Sequence, residues 1–236
     1  MQKTYLRKFL APALLACLIN TFYSAAYAEI RRIEPENRKF SDDNKIAKVY
    51  FFGEMNQDKA KDLSAVLDEI NINHADFKNI YLYINSPGGD MNSGYISYWA
   101  VKSSKIPVST VNLSVTASAA TMMFCGSDDR MSIKGAYFIL HPPAVVEGNI
   151  RLKPDELLEV QENLDGYRQM FASIYSSCTN YSAAEISTIL SSEDNRKRLA
   201  DEDAIKHGLI KKNTDAIVNA PIAYYITDDR VPAGRK

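Results

Sequence analysis

Between Ala47 and His141 the chain alternates two hydrophobic periods, and that alternation constrains the fold more than any other feature. AKVYFFGEM (Ala47 to Met55), NIYLYIN (Asn79 to Asn85) and PVSTVNLSV (Pro107 to Val115) are short runs rich in β-branched and aromatic residues. MSIKGAYFILH (Met131 to His141) is strand-like too. In between, DKAKDLSAVLDEINI sets Leu63, Val66, Leu67 and Ile70 at helical spacing, and SGYISYWAVKSS reads as another helix. Strands separated by helices predict an α/β fold, a mostly parallel sheet wrapped by helices. KPDELLEVQENLDGYRQMFASIYSSCTNY then predicts a long helix started by Pro154 and Asp155. SAAEISTIL predicts a shorter one with Ser182 and Glu185 as a capping box, and ADEDAIKHGLI a last helix closed by Gly208.

The two ends of the chain read differently from this middle. Lys3, Arg7 and Lys8 precede a short apolar run, and SAAYA ends on small residues at Ala26 and Ala28. That is a secretory signal, cleaved after Ala28, and the apolar run is shorter than the ~20 residues a membrane span needs. Leu14-Leu15-Ala16-Cys17 loosely resembles a lipoprotein site, but the residues after Cys17 stay apolar. The expected organisation is a signal peptide over 1–28, an irregular arm over 29–44, one folded domain over 45–218 and a loosely attached tail over 219–236. Export to the periplasm follows from the signal, and in such a compartment Cys125 and Cys178 are able to pair.

Composition excludes several classes. Cleavage after Ala28 removes three of the 28 basic side chains and none of the 29 acidic ones, so the net charge moves from −1 to −4. No basic patch for nucleic acid is expected. No G-x-x-x-x-G-K-[ST] occurs, so the chain carries no P-loop of its own. The few His and Cys residues lack ligand spacing, and neither metal nor cofactor is expected.

In parallel α/β sheets, ligands bind beyond the carboxyl ends of the strands. Three features fall there: the Ser86-Pro87-Gly88-Gly89 turn, Ser118 in SVTASAATMMFCG, and His141 at the end of its strand. A serine hydroxyl becomes a nucleophile when a histidine takes its proton. Backbone N–H groups at Gly88, Gly89 and Ala119 are then candidates to stabilise an oxyanion, because glycine permits close approach. Each feature also has a plain structural reading, as a turn, a helix cap and a strand-end residue. Their joint placement points to acyl transfer.

INSPGGDMNSGYISYWAV, TASAATMMFCG, FILHPP and the closing DAIKHGLI resemble the proteolytic subunit of the Clp protease, a crotonase-like family. The resemblance runs from Ala47 to Ile210. It implies repeated β-β-α units with a long protruding helix, and a serine endopeptidase with Ser118 as nucleophile and His141 as base. Gly88 or Gly89 and Ala119 would form its oxyanion hole. It also implies a homo-oligomeric ring assembled through the long helix, with ring-to-ring contacts near Glu147-Gly148-Asn149, and peptides or unfolded protein as substrate.

The chain departs from that family's pattern at Ala119-Ala120 and at Pro142. At the position of the family's triad aspartate, counting back from Gly208 gives Arg196; Asp194 is the expected substitute, with Glu193 and Asn195 behind it. An exported form would lack a cytosolic ATP-driven partner and would cut segments that enter unaided. Three rival readings are a serine–lysine dyad through Lys134 or Lys153, an acyl-CoA-binding relative, and an inert ring-forming scaffold.

Overall fold

Among the described residues, the apolar runs become strands of one nine-stranded sheet. The computed structural model describes residues 29–34, 45–145 and 153–228. The expected signal segment, residues 35–44 of the arm, residues 229–236 of the tail and Glu147-Gly148-Asn149 lie outside the described residues.

In chain order the elements begin with β1 (Glu29–Ile33), β2 (Ile46–Phe52), α1 (Gln57–Asn73), β3 (Asn79–Ser86) and α2 (Met91–Lys102). β4 (Val108–Ala117), α3 (Ala119–Cys125), β5 (Asp129–Ile133) and β6 (Tyr137–Leu140) follow, then α4 (Pro154–Cys178) and α5 (Ala183–Ile189). A 3-10 turn (Glu193–Asn195) leads to β7 (Lys197–Ala200), α6 (Asp201–Lys206), β8 (Lys212–Thr214) and β9 (Ile222–Thr227). The strand order is β1-β9-β2-β3-β4-β5-β8, with β6 joining β4 to β7. Among the described residues, only the β1–β9 and β6–β7 pairs are antiparallel. The mostly parallel α/β sheet expected from the periodicity is therefore present.

The helices start where their caps dictate. Asn56 accepts the Lys59 N–H at 2.9 Å, Asp90 accepts the Ser93 N–H at 2.7 Å, and Ser182 and Glu185 close their capping box. Leu63, Ile70, Tyr98, Met122, Phe124 and Phe171 from the apolar stripes of α1 to α4 share one buried core with Val49, Phe51, Ile80 and Leu82 of the sheet. Burying each such side chain contributes roughly 1.5–3 kcal/mol. The opposite face carries a smaller cluster built on Tyr50, whose ring stacks on Tyr225 at 4.7 Å and on Tyr83 at 5.2 Å.

Four expectations need correction. The single strand expected over Met131 to His141 is two strands, because Gly135 turns at φ 88 and shifts the chain to a new stretch of β4. The supposedly irregular arm begins with β1, which pairs with β9 from Glu29↔Thr227 to Ile33↔Ala223. The supposedly loose tail contains β9, an interior strand between β1 and β2 with Ile222, Tyr224 and Ile226 fully buried. β7 and β8 have no counterpart among the expected strands; each is short and polar in sequence.

Cys125 and Cys178 form a disulfide that joins the end of α3 to the end of α4. Beside it the buried Arg130 guanidinium donates to the carbonyls of Ser127, Cys178, Gly208 and Leu209 at 2.7–3.1 Å. Desolvation pulls the Arg130 pKa below its usual value, and these carbonyls supply the polar partners that water would otherwise give.

Candidate active site

The site begins with a register break in β4. Ile84 pairs with Asn112, but Ser86 pairs with Thr116, so β4 bulges between them. Thr116 Oγ1 donates to Asn112 Oδ1 at 3.0 Å across the bulge, and Asn112 Nδ2 reaches the Tyr137 carbonyl at 2.9 Å. Before the bulge β4 pairs with β5; after it, Val115 to Ala117 pair with β6. The bulge thus carries the end of β4 alongside the strand that ends just before His141.

Ser118 sits at the strand-to-helix corner that results. Its backbone holds φ 51 and ψ −132, and its N–H donates to the Ile139 carbonyl at 3.1 Å. A positive φ costs a non-glycine residue on the order of 1–3 kcal/mol, and such strain collects at functional sites. A sharp turn of this kind, between a strand and a helix, holds a hydroxyl out from the sheet edge. The Ser118 side chain makes no capping hydrogen bond to α3, which removes the simplest structural reason for a serine here.

The Gly88-Gly89 turn packs directly against that corner. A Cβ on Gly88 would lie 2.5 Å from Ser118 Cβ and 3.0 Å from the Ala119 nitrogen. Gly88 (φ 97) and Gly89 (φ 142) also adopt conformations that disfavour any side chain. The two N–H groups differ in availability. Gly88 donates to Ser86 Oγ at 3.2 Å, whereas the Gly89 N–H has no acceptor among the described residues. Met55 fixes the turn from the other side: its N–H donates to the Gly88 carbonyl at 2.7 Å and its carbonyl accepts from Asp90 at 2.9 Å.

His141 follows β6, and its side chain is about three-quarters buried, at 23% exposure. Its Nδ1 lies 3.1 Å from Glu193 Oε2. The other Glu193 oxygen accepts from Arg196 Nη1 at 2.9 Å. That bond, followed by the contact with His141, holds the Glu193 carboxyl below its ordinary pKa. An ionised carboxylate only accepts, so in the neutral ring Nδ1 carries the proton and Nε2 keeps its lone pair.

Asp194, the expected partner of His141, does not reach it. It is exposed, and its N–H donates to Ser192 Oγ at 3.3 Å. Asn195 is taken up by Ser191 at 3.1 Å. The 3-10 turn is the reason. β7 pairs antiparallel with β6 from Leu140↔Lys197, which brings Arg196 level with His141, and the turn folds Glu193 back three residues onto Arg196. In the sequence Glu193 stands only behind Asp194. Among the described residues no hydrogen bond joins Lys134 or Lys153 to Ser118, and none joins the Ser118 hydroxyl to the His141 ring. No group of three or more potential metal ligands occurs among the described residues.

A mostly parallel α/β sheet with a strained serine corner and a histidine–carboxylate pair at one edge defines the molecule as crotonase-like in fold. The Clp protease family profile matches residues 37–216, and the chain belongs to that family. It is 26% identical to the ATP-dependent Clp protease proteolytic subunit of Pleurastrum terricola over 164 residues, 69% of this chain and 80% of the relative. It is 27% identical to proteolytic subunit 2 of Pseudomonas aeruginosa over 175 residues, 71% of this chain and 81% of that one. A ClpP1 mutant from Listeria monocytogenes superposes with a TM-score of 0.61 at 21% identity, covering 74% of this chain and 94% of its own.

Proposed function

We propose that this chain is a serine endopeptidase that cleaves peptides or unfolded protein segments through an acyl-enzyme. Ser118 Oγ attacks the scissile carbonyl carbon while His141 Nε2 takes its proton. The same nitrogen then protonates the departing amine; in deacylation it takes a proton from the attacking water and returns it to Ser118 Oγ as the acyl group leaves as the acid. Glu193 holds the ring tautomer and stabilises the imidazolium that forms. The N–H groups of Gly89 and Ala119 stabilise the oxyanion.

One observation carries the reading. Ser118 is held in a strained backbone conformation with its hydroxyl unused as a cap, at the corner to which the register of β4 and β6 brings His141. The missing Ser118–His141 hydrogen bond favours a second reading, an inert ring-forming scaffold. Catalytic hydrogen bonds are often long before substrate binds, so the peptidase reading stands first.

We further propose that the chain is exported to the periplasm. The N-terminal sequence resembles a signal peptide, and a buried disulfide suits an oxidising compartment. The P. terricola and P. aeruginosa relatives carry ATP-dependent names. A periplasmic ring of this chain would work without an ATP-driven partner, on substrates short or unfolded enough to enter. Subcellular fractionation tests this, and recovery of uncleaved chain in the cytosol overturns it.

The catalytic test uses residues 29–236 and a fluorophosphonate probe, beside Ser118→Ala and His141→Ala. Labelling of the wild type that disappears in both variants is the expected result. An assembled wild type that does not label leaves the scaffold reading.

A further inference from the structure

Two buried hydroxyls lie in series behind the Ser118 corner. Thr121 Oγ1 donates to the Ser118 carbonyl at 2.6 Å, and the Thr121 N–H donates to the same oxygen at 2.9 Å. A threonine has one hydroxyl proton, and the Ser118 carbonyl takes it. At its 2.8 Å contact with Tyr175 Oη, Thr121 therefore accepts and Tyr175 donates. The direction is fixed: Tyr175 O–H to Thr121 O–H to Ser118 C=O. Both side chains are fully buried, so water does not compete for these bonds and the low local dielectric strengthens them. Burial also pushes the Tyr175 phenol well above its usual pKa, which keeps it a donor.

The relay ends on a peptide plane that matters. The Ser118 carbonyl and the Ala119 N–H belong to the same trans peptide, so they point in opposite directions. Fixing the carbonyl fixes where the N–H points. The strained φ 51, ψ −132 of Ser118 favours rotation of this plane unless something restrains it. Gly88 crowds the front of the corner, and Thr121 holds the back. Tyr175 lies one helical turn before Cys178, whose disulfide to Cys125 secures the far end of α3. α4 thus grips α3 near both ends and keeps the relay in register.

We propose that Thr121 and Tyr175 are positioning residues that hold the Ser118–Ala119 peptide plane so that the Ala119 N–H faces the developing oxyanion. The inference rests on the peptidase reading and assigns a role to two residues that touch neither substrate nor the reacting atoms.

The test measures the rate of fluorophosphonate labelling, and kcat and KM on dye-labelled casein, for Thr121→Val, Tyr175→Phe, the double variant and Thr121→Ser. Thr121→Val should label about tenfold more slowly, since one oxyanion donor is worth roughly 10²–10³ and is misaligned rather than removed. Tyr175→Phe should slow labelling less. The double variant should be no slower than Thr121→Val, because the second hydroxyl acts only through the first. Thr121→Ser should restore the rate, and kcat should fall with KM within about twofold of the wild type.

Variants that label as fast as a reactive wild type overturn the relay and leave the peptidase reading intact. A Tyr175→Phe effect that persists when Thr121→Val is already present also overturns it, since that is independent packing. A wild type inert to the probe overturns both readings together. Should Thr121→Val not fold, Tyr175→Phe decides: an unchanged rate sinks the relay, and a slower kcat at constant KM supports it.

Discussion

Glu193 Oε2 lies 3.1 Å from His141 Nδ1, while Glu193 Oε1 lies 2.9 Å from the Arg196 guanidinium. One carboxylate therefore orients the imidazole and is itself held by an arginine. Glu193→Gln is expected to lower kcat on casein by on the order of 10²–10⁴, because the amide favours the wrong ring tautomer. Asp194→Asn should stay within about twofold of the wild type. Steady-state kinetics on the two variants separates the neighbours. The reverse ranking would return the orienting role to Asp194.

Arg196 gives this pair a pH signature. The Glu193 pKa is depressed chiefly by its bond to Arg196 and next by His141. A depressed folded-state pKa means stabilisation that is complete above the unfolded value and is lost as pH falls through the folded one. In Arg196→Met the folded value rises, so protonation of Glu193 should begin at higher pH than in the wild type. A carbon-detected NMR titration of the Glu193 carboxyl reads this directly. The stability effect itself should be small, because the Glu193 side chain is 55% exposed. An unshifted titration curve would mean that Arg196 does not hold the carboxylate.

How far the sequence could be read depended on where the information lay. Strands β2, β3 and β4 are dense in Val, Ile, Tyr and Phe, and the two helices between them carry apolar stripes, so their order was legible. Ser118, His141 and the Gly88-Gly89 turn were legible as strand-end features of one sheet edge. Glu193 was legible only as a fallback to Asp194, because its approach to His141 depends on a 3-10 turn and on the polar strand KRLA, which has no strand-like pattern. β1 and β9 were missed for a different reason. Each pairs across nearly the whole chain, Glu29 with Thr227, and no local periodicity records such a partner. The Thr121–Tyr175 contact is likewise a product of tertiary packing.

The buried tail carries its own prediction. IAYYIT fills the gap between β1 and β2, and the fully buried Lys59 ammonium closes the end of this strand. It donates to the Phe52 and Glu54 carbonyls at 2.7 and 3.0 Å and to Asp228 Oδ2 at 2.6 Å. Removing residues 219–236 should therefore give an insoluble or unfolded protein rather than a trimmed one. Asp228→Asn should cost about 1–3 kcal/mol, because a buried cation keeps its carbonyls but loses its counter-charge. Urea denaturation measures the second effect, and soluble yield with circular dichroism measures the first. A folded 29–218 fragment would show that β9 is dispensable.

The Cys125–Cys178 disulfide links stability and site. It closes a loop with a sequence separation of 53, and cross-linking a loop of that length stabilises by about 4 kcal/mol if it acts mainly on unfolded-chain entropy. For a chain of this size about 1 kcal/mol corresponds to roughly 2–4 °C, so Cys125→Ala/Cys178→Ala should lower Tm by on the order of 10 °C. The damage should also be directional. Cys125 ends the short helix that begins beside Ser118, and Cys178 lies three residues beyond Tyr175, so loosening the pair frees the helix that carries Ala119 and Thr121. Fluorophosphonate labelling of the double variant should slow at temperatures well below its Tm, while a variant of the distant Asp76 should not. Thermal melts and labelling with and without reductant check both halves. Equal Tm and equal labelling after full reduction would mean that packing of α3 against α4 holds the corner unaided.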